Sequence, residues 1–335
     1  MYTTVFFIQP TQPWNSTLLN MTFKVFIFGC GAATPTLQHH PSAQVINLHD
    51  KLFMVDCGEG TQLQCRKYGF GFQRISAVFI SHLHGDHYLG LVGLMSSMHL
   101  LGRKQKLKVF GPPALQQLIQ INLELSSTQL SYEVEFFPTS DHDKQMIYED
   151  HTLRVFSLPL KHRIFCTGFL FEEKQRPLKV IKSFVDEYQL MPSQILQLKK
   201  GNDITLDNGV VIRSSDACVI PPPPRSYAYC SDTAFFEDLI QHIPNVDMLY
   251  HESTFLESEL LRAAQTFHST AGQAAQIAKR AGAKRLLLGH FSSRYRDESK
   301  FLEEASAVFP CVELADEGLV VEIPTADLAH TVVGG

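Results

Sequence analysis

An α/β fold in which helices cover β-sheets is what this sequence predicts, and three observations carry that reading. Apolar, β-prone runs alternate with helical patterns along the chain, and the second half repeats the style of the first. The length of 335 residues and a hydrophobic content of 44% suffice to bury a large core, as one big domain or two closely joined layers.

Taken in order, strands are expected at Phe23–Phe28, Gln44–Leu48, Leu52–Val55, Ala77–Ile80, Lys108–Phe110 and Glu133–Phe137. Helical patterns follow Gly60 and Leu89, and another runs from Pro113 to about Leu125, where Pro113 suits a helix start. In the second half, Tyr227–Cys230, Met248–Tyr250 and Arg285–Leu288 read as strands. Helices are expected near Phe235–Ile243, Thr270–Ala281 and Glu298–Val308. No fixed-period repeat is visible.

Residues 1–20 read as a disordered extension ahead of a single domain over 21–335, whose first strand Met21 opens. Their apolar piece, Val5-Phe6-Phe7-Ile8, is followed by Pro10 and Pro13 and preceded by no basic region, so no signal peptide is expected. No apolar run is long enough to span a membrane. Charged residues make up 19% and the net charge is −5, so a nucleic-acid partner would need local basic patches. The seven cysteines are scattered without a CxxC pair, which suggests neither a disulfide framework nor a thiolate zinc site and fits a reducing cytoplasm.

The densest chemistry lies in Ser81-His82-Leu83-His84-Gly85-Asp86-His87, where three imidazoles and a carboxylate follow the strand Ala77–Ile80. Imidazole and carboxylate suit zinc and its first-row neighbours, and Gly85 allows a tight turn that lets donors converge. Further donors stand just past other β-runs: His162 after Leu158-Pro159-Leu160-Lys161, Asp232 after Tyr227–Cys230, and His290 after Leu286-Leu287-Leu288-Gly289. Strand ends are where α/β architectures gather functional groups. Singly each has a dull reading as a capping or core polar residue. Jointly, five histidines and two aspartates are what a two-metal site needs. Asp232 suits the bridge, because a carboxylate offers two oxygens. One ion could take His82, His84 and His162, and the other Asp86, His87 and His290. Such a pair turns water into a hydroxide nucleophile near neutral pH and can hold a phosphate oxygen, which argues for hydrolysis of a phosphate ester or acyl bond.

This set resembles the metallo-β-lactamase superfamily, whose HxHxDH motif reads here His82-Leu83-His84-Gly85-Asp86-His87, with His162, Asp232 and His290 in the expected order. The resemblance implies an αββα four-layer sandwich with the dinuclear site at one edge. The segments Gly29–Thr36, Asp56–Gln62, Tyr250–Thr254, His268–Thr270 and Gly289–Tyr295 narrow it, and together they look like the ribonuclease Z family. That likeness runs from about Met21 to beyond Leu314. It implies an endoribonuclease that cuts precursor tRNA on the 3′ side of the discriminator nucleotide. The products would be a tRNA 3′-hydroxyl and a trailer with a 5′-phosphate.

The resemblance also implies roles. Two Zn²⁺ per subunit, or Mn²⁺ or another divalent ion, would be held by the seven ligands. Asp86 is a candidate general base, and His268 is placed to protonate the departing 3′ oxygen with Glu252 as its partner. Glu252 reads equally well as a strand-end carboxylate capping the next loop. Asp56 would hold a ligand loop in place. Ser269, Ser292 and Arg294 could bond phosphate or the terminal nucleotides, the guanidinium of Arg294 matching phosphate best. The family usually reads HEAT where this chain has His251-Glu252-Ser253-Thr254, a small departure.

Between Glu172 and Asn208 no long apolar strand is evident, and Lys174, Arg176, Lys179, Lys182, Lys199 and Lys200 are interspersed with acidic residues. Composition alone leaves two readings, a protruding insertion or a solvated loop with ordinary surface lysines. Pro221-Pro222-Pro223-Pro224 then forms a stiff spacer. The resemblance implies a protruding arm that grips tRNA, to which Lys179 and Lys182 would add a salt-dependent backbone term. The Gly-Pro pair common in that arm is replaced by Met191-Pro192-Ser193-Gln194, so a differently shaped tip is expected. Homologues act as homodimers in which one subunit's arm holds the tRNA that the other cleaves. Two rival functions remain: a hydrolase of a small phosphodiester or thioester on the same fold, and a catalytically silent RNA-binding subunit, which the complete ligand set counts against.

Overall fold

The computed structural model describes residues 5–7 and 22–325. These residues divide into two compact units, one comprising those up to Glu149 with Arg154–Phe171 and Ser226–Ile323, the other Asp150–Leu153, Glu172–Arg225 and residues 324–325.

Two sheets build the larger unit. Edge to edge, the first is Val5–Phe7, Leu319–Glu322, Phe23–Gly29, Ala43–Leu48, Lys51–Cys57, Ile75–Phe79, Leu107–Gly111 and Val134–Pro138. It is antiparallel up to Lys51–Cys57 and parallel beyond. The second runs Val312–Leu314, Leu286–Gly289, Met248–Glu252, Ser226–Cys230, Thr167–Glu173, Leu153–Pro159 and Gln145–Glu149, its first four strands parallel.

Both faces of the central strands are buried, which is why they read as continuous apolar runs and not as alternating ones. On one face, rings interlock between the sheets: Phe53 and Phe79 meet Phe171 at 5.9 and 5.3 Å, and Phe79 meets Phe169 at 5.4 Å. On the other, Met54, Val78 and Val109 pack under Leu91, Leu94, Met98 and Ile119 of the helices Gly90–Leu100 and Leu115–Leu125. The helix Ala271–Ala281 lies on the second sheet, with Ser299–Ser306 beside it. The order of layers is therefore helix, sheet, sheet, helix.

The sequence-predicted strands and helices all occur, with shifts that have local causes. The helix expected over Phe235–Ile243 is only Leu239–His242: Pro244 disfavours helical backbone at Ile243 and ends it there, while Phe235 and Phe236 are irregular and Glu237 and Asp238 form a turn. Three of the residues expected to be disordered, Val5–Phe7, instead pair antiparallel with Leu319–Val321, so that short apolar piece forms an edge strand. The other residues of 1–20, and Met21, lie outside the described residues. Thr167–Glu173 and Gln145–Glu149 were not anticipated; the first has only Phe169-Leu170-Phe171 as an apolar run between Thr-Gly and two glutamates, and the second mixes polar with apolar side chains.

The smaller unit has its own core. Leu190, Leu198, Ile204, Ile212 and Ala217 are buried together, flanked by Val180, Phe184 and Ile195. Lys179–Val180 pairs with Cys218–Val219, and Ile204–Thr205 with Val211–Ile212. At its base Arg225 donates from Nε and Nη2 to the carboxylate of Glu173 at 3.0 and 2.7 Å, both side chains buried. The insertion thus extends to Arg225, past the boundary at Asn208 expected from composition. Pro192 begins the helix Pro192–Lys199, where its missing N–H costs nothing, so no glycine turn is needed there.

Candidate metal centre

The parallel strands deliver their C-terminal ends to one edge of the larger unit, and the chemistry sits in the turns that follow. Asp232 and His290 leave their strands, and Asp56 sits at a bulge near the end of Lys51–Cys57, all in the left-handed region with φ of 61°, 59° and 55°. Each such conformation costs a non-glycine residue about 1–2 kcal/mol and redirects its side chain. Three such residues at one edge mark a site that the fold holds in place.

Two groups of donors converge there. His82 Nε2 lies 3.0 Å from His84 Nδ1, His162 Nε2 lies 3.2 Å from the same nitrogen, and Asp232 Oδ2 is 3.5 Å from His82 Nε2. In the second group, His87 Nε2 and His290 Nε2 are 3.4 Å apart, with Asp86 Oδ2 at 3.4 and 3.5 Å from them. Asp232 Oδ1 reaches those two nitrogens at 3.1 and 3.0 Å. One carboxylate therefore faces both groups, one oxygen to each. A tetrahedral ion with bonds of 2.0–2.2 Å sets its donors about 3.3–3.6 Å apart, so the spacing fits a first-row divalent cation in each group.

The far sides of the rings are tied down, which fixes the nitrogen left for a cation. His87 Nδ1 donates to Asp56 Oδ2 at 2.7 Å, and His162 Nδ1 to the Phe267 carbonyl at 3.1 Å. His290 Nδ1 is 2.9 Å from Thr254 Oγ1, and His82 Nδ1 is 3.0 Å from Ser81 Oγ. Asp56 also accepts from Ser81 N, Ser81 Oγ and Tyr229 Oη at 2.8, 2.9 and 2.7 Å, so it holds the ligand loop, the part expected of it. Asp86 Oδ2 accepts from Ala33 N at 2.8 Å.

Electrostatics agree with this arrangement. Burial pushes His82, His84 and His162 below the usual histidine range, leaving them neutral and able to ligate. For His87 burial acts in the same direction, but the carboxylates of Asp232, Asp86 and Asp56 overcome it and raise its pKa. Asp232 stays ionised: burial raises its pKa, and the surrounding His290, His87 and His82 lower it further than that.

Beside the two groups stands a second device. His268 Nδ1 is 2.7 Å from Glu252 Oε1. Burial lowers the pKa of His268, yet the Glu252 carboxylate outweighs it and lifts the imidazole to about 9. Burial likewise raises Glu252, and His268 brings it down to about 2. Glu252 also accepts from Thr233 N, Thr254 N and Thr254 Oγ1 at 2.9, 3.1 and 2.6 Å. It is both loop cap and histidine partner, so the two readings of that residue are compatible.

The family model described as "Anti-Pycsar protein Apyc1" matches residues 23–308. The ribonuclease Z of Bacteroides fragilis is 47% identical over 301 residues, covering 90% of this chain and 99% of that protein. The chain belongs to the ribonuclease Z family and falls under the Apyc1 family model. The ribonuclease Z of Porphyromonas gingivalis is 44% identical over the same 90% of the chain and 99% of its own length. Among solved structures, human tRNase Z, short form, is similar with a TM-score of 0.65 and 26% identity, covering 90% of this chain and 99% of that one. YhfI of Bacillus subtilis, a metallo-β-lactamase fold protein, has a TM-score of 0.63 at 19% identity, with 90% and 99% covered, and shows the shared fold.

Not every expected site residue arrives where a family member would use it on substrate. A cleft of about 590 Å³ opens over the centre, lined among others by Asp86, His268, His290, Ser292 and Arg294. Ser269 is absent from that lining. It is fully buried, and its hydroxyl donates to the Thr233 carbonyl at 2.7 Å, so it anchors the His268 loop and the expectation of substrate contact is corrected. Lys179 and Lys182 belong to the smaller unit, where both side chains are exposed. Ser253 is buried with its hydroxyl on the Gly289 carbonyl, a position that accepts a small side chain. Two exposed arginines of the cleft wall, Arg163 and Arg262, had no signal in the sequence.

Proposed function

We propose that this ribonuclease Z family member, a tRNA 3′-processing endoribonuclease, uses two Zn²⁺ ions to cut precursor tRNA on the 3′ side of the discriminator nucleotide. The observation that carries the reading is Asp232 shared between two donor groups, with the His268–Glu252 pair beside them over one cleft. His82, His84, His162 and Asp232 would hold one ion, and Asp86, His87, His290 and Asp232 the other. Bound there, the ions supply an activated water and neutralise charge on the phosphate.

The chain's own groups supply the rest. Asp86, fixed by Ala33 N, is the acceptor for the proton released by the attacking water. His268 is held through Nδ1 by Glu252, which leaves Nε2 to carry the proton delivered to the departing 3′ oxygen. Glu252 keeps that imidazole charged until the P–O bond breaks. The products are a tRNA with a 3′-hydroxyl and a trailer with a 5′-phosphate. Arg294, Arg163 and Arg262 on the cleft wall can pair with phosphates flanking the cut. The smaller unit, with exposed Lys179 and Lys182, would grip folded RNA through its backbone, and we read the working form as a cytoplasmic homodimer. Among the described residues no helix is long and apolar enough to cross a membrane.

The deciding experiment is incubation of the zinc-loaded protein with a precursor tRNA and with a small chromogenic phosphodiester. Cleavage after the discriminator nucleotide is expected. Fast turnover of the small ester with no cleavage of any precursor tRNA would transfer the centre to a small-molecule hydrolase.

A further inference from the structure

A second cluster of donors lies where the strand Phe23–Gly29 ends, on residues that the centre does not use. Cys30 Sγ is 3.3 Å from His39 Nδ1, and Glu317 Oε1 is 3.8 Å from the same nitrogen. The three donor atoms lie within 4.8 Å of one another. Cys30 is fully buried and the Glu317 carboxylate nearly so. On its other side His39 presents Nε2 to Glu298 Oε1 at 2.6 Å.

That last bond fixes the ring. With its Nε2 proton held by Glu298, His39 leaves Nδ1 as the nitrogen facing the thiol and Glu317. Burial lowers its pKa, but the Glu298 and Glu317 carboxylates outweigh that, so a cation bound at Nδ1 would displace a proton. His87 is set by Asp56 in the same way at the main centre. Thiolate, imidazole and carboxylate together are a donor set of the zinc class. With bonds of 2.3 Å to sulfur and 2.0–2.1 Å to nitrogen, the two donors of a tetrahedral site stand about 3.5 Å apart, close to the separation here. A thiol–imidazole hydrogen bond would account for Cys30 and His39. Glu317 is aimed at the same pair by its other contacts: Oε1 accepts from His40 N, and Oε2 from His40 Nδ1 at 2.9 Å and from Gln64 Nε2.

We propose that Cys30, His39 and Glu317 hold a third divalent cation of the zinc class, whose part is structural. None of the three lines the cleft over the main centre. Binding would release the thiol proton and the His39 Nδ1 proton to solvent and form the metal–sulfur bond, so charge balances without any redox step. The ion would tie the residues after Phe23–Gly29 to the turn after Val312–Leu314. That connection matters because Ala33, three residues from Cys30, donates the backbone hydrogen bond that positions Asp86. The sequence pattern offered no hint of it, since no two of the cysteines have metal-site spacing.

Elemental analysis of the purified protein and its cobalt-substituted form test this. Three metal equivalents per chain are expected, together with a near-ultraviolet thiolate-to-cobalt charge-transfer band. The ligands proposed for the main centre contain no sulfur, so that band reports the Cys30 cluster whatever the enzyme cleaves. Cys30→Ser should remove the band and one equivalent, while the visible bands of the remaining cobalt persist. Absence of the band from the unmutated cobalt protein overturns the proposal without relying on any variant's folding. A band that survives in Cys30→Ser overturns it too, by moving the sulfur ligand to another cysteine such as the exposed Cys311.

Discussion

Replacing Asp56 by Asn tests whether the centre is held by residues behind its ligands. Asp56 is fully buried, and its two oxygens accept four hydrogen bonds: Oδ1 from Ser81 N, and Oδ2 from Ser81 Oγ, His87 Nδ1 and Tyr229 Oη. An amide has one acceptor oxygen. Its best orientation keeps that oxygen in place of Oδ2 and turns the NH₂ toward Ser81 N, leaving two donors face to face in a dry interior. One unsatisfied buried group costs about 1–3 kcal/mol. The loss of negative charge behind His87 should weaken metal binding about 10–100-fold. At saturating metal that removes a further 1.4–2.7 kcal/mol or so of linked stability. Competition with a chromogenic chelator measures the affinity, and thermal melts with and without metal separate the two losses. Weakening should be greatest for the ion beside His87. An unchanged metal affinity, with the apo protein as stable as before, would refute the argument that Asp56 supports that ligand.

Other outcomes follow from the same geometry. His268→Ala should retain both ions yet lose about 10²–10⁴ in turnover, whereas Asp232→Ala should lose metal, and elemental analysis beside single-turnover kinetics distinguishes them. Since His268 must be protonated to act as an acid, kcat should fall as pH rises through its pKa. That pKa is raised to about 9 by Glu252 against the effect of burial, and nearby cations will bring it lower, so the alkaline limb should appear below pH 9. Glu252→Gln should move that limb to lower pH, and a limb that stays put would remove Glu252 from the role. Deleting residues 172–225 should damage precursor tRNA cleavage far more than hydrolysis of a small diester, and equal losses would contradict a substrate-gripping unit.

The legible parts of this protein share a property: each is written in a short window. The His82–His87 cluster shows itself because four donors crowd into a loop after an apolar run. His162, Asp232 and His290 show themselves because a polar residue directly after a buried strand stands out. Strand and helix positions were readable where burial on both faces makes long apolar runs. Gln145–Glu149 was missed because it is largely exposed and mixed in polarity, and Thr167–Glu173, though buried, because its apolar run is only Phe169-Leu170-Phe171. Ser269 was misread because a serine beside His268 looks the same whether its hydroxyl faces the cleft or the Thr233 carbonyl. The wall arginines, Arg163 and Arg262, had no motif to announce them.

By itself, then, the sequence determined the helix-covered sheets, the donor residues that the fold brings together and, through its motifs, the family. Local hydrophobic period and donor chemistry are properties of neighbouring residues, so they need no fold to be seen. Only the tertiary structure decided that one carboxylate of Asp232 faces both donor groups, that Glu252 reaches His268 while capping its own loop, and that Cys30, His39 and Glu317 meet at all. Those contacts join atoms far apart along the chain, and their distances are set by how two buried sheets pack and by where left-handed backbone at Asp56, Asp232 and His290 aims the side chains.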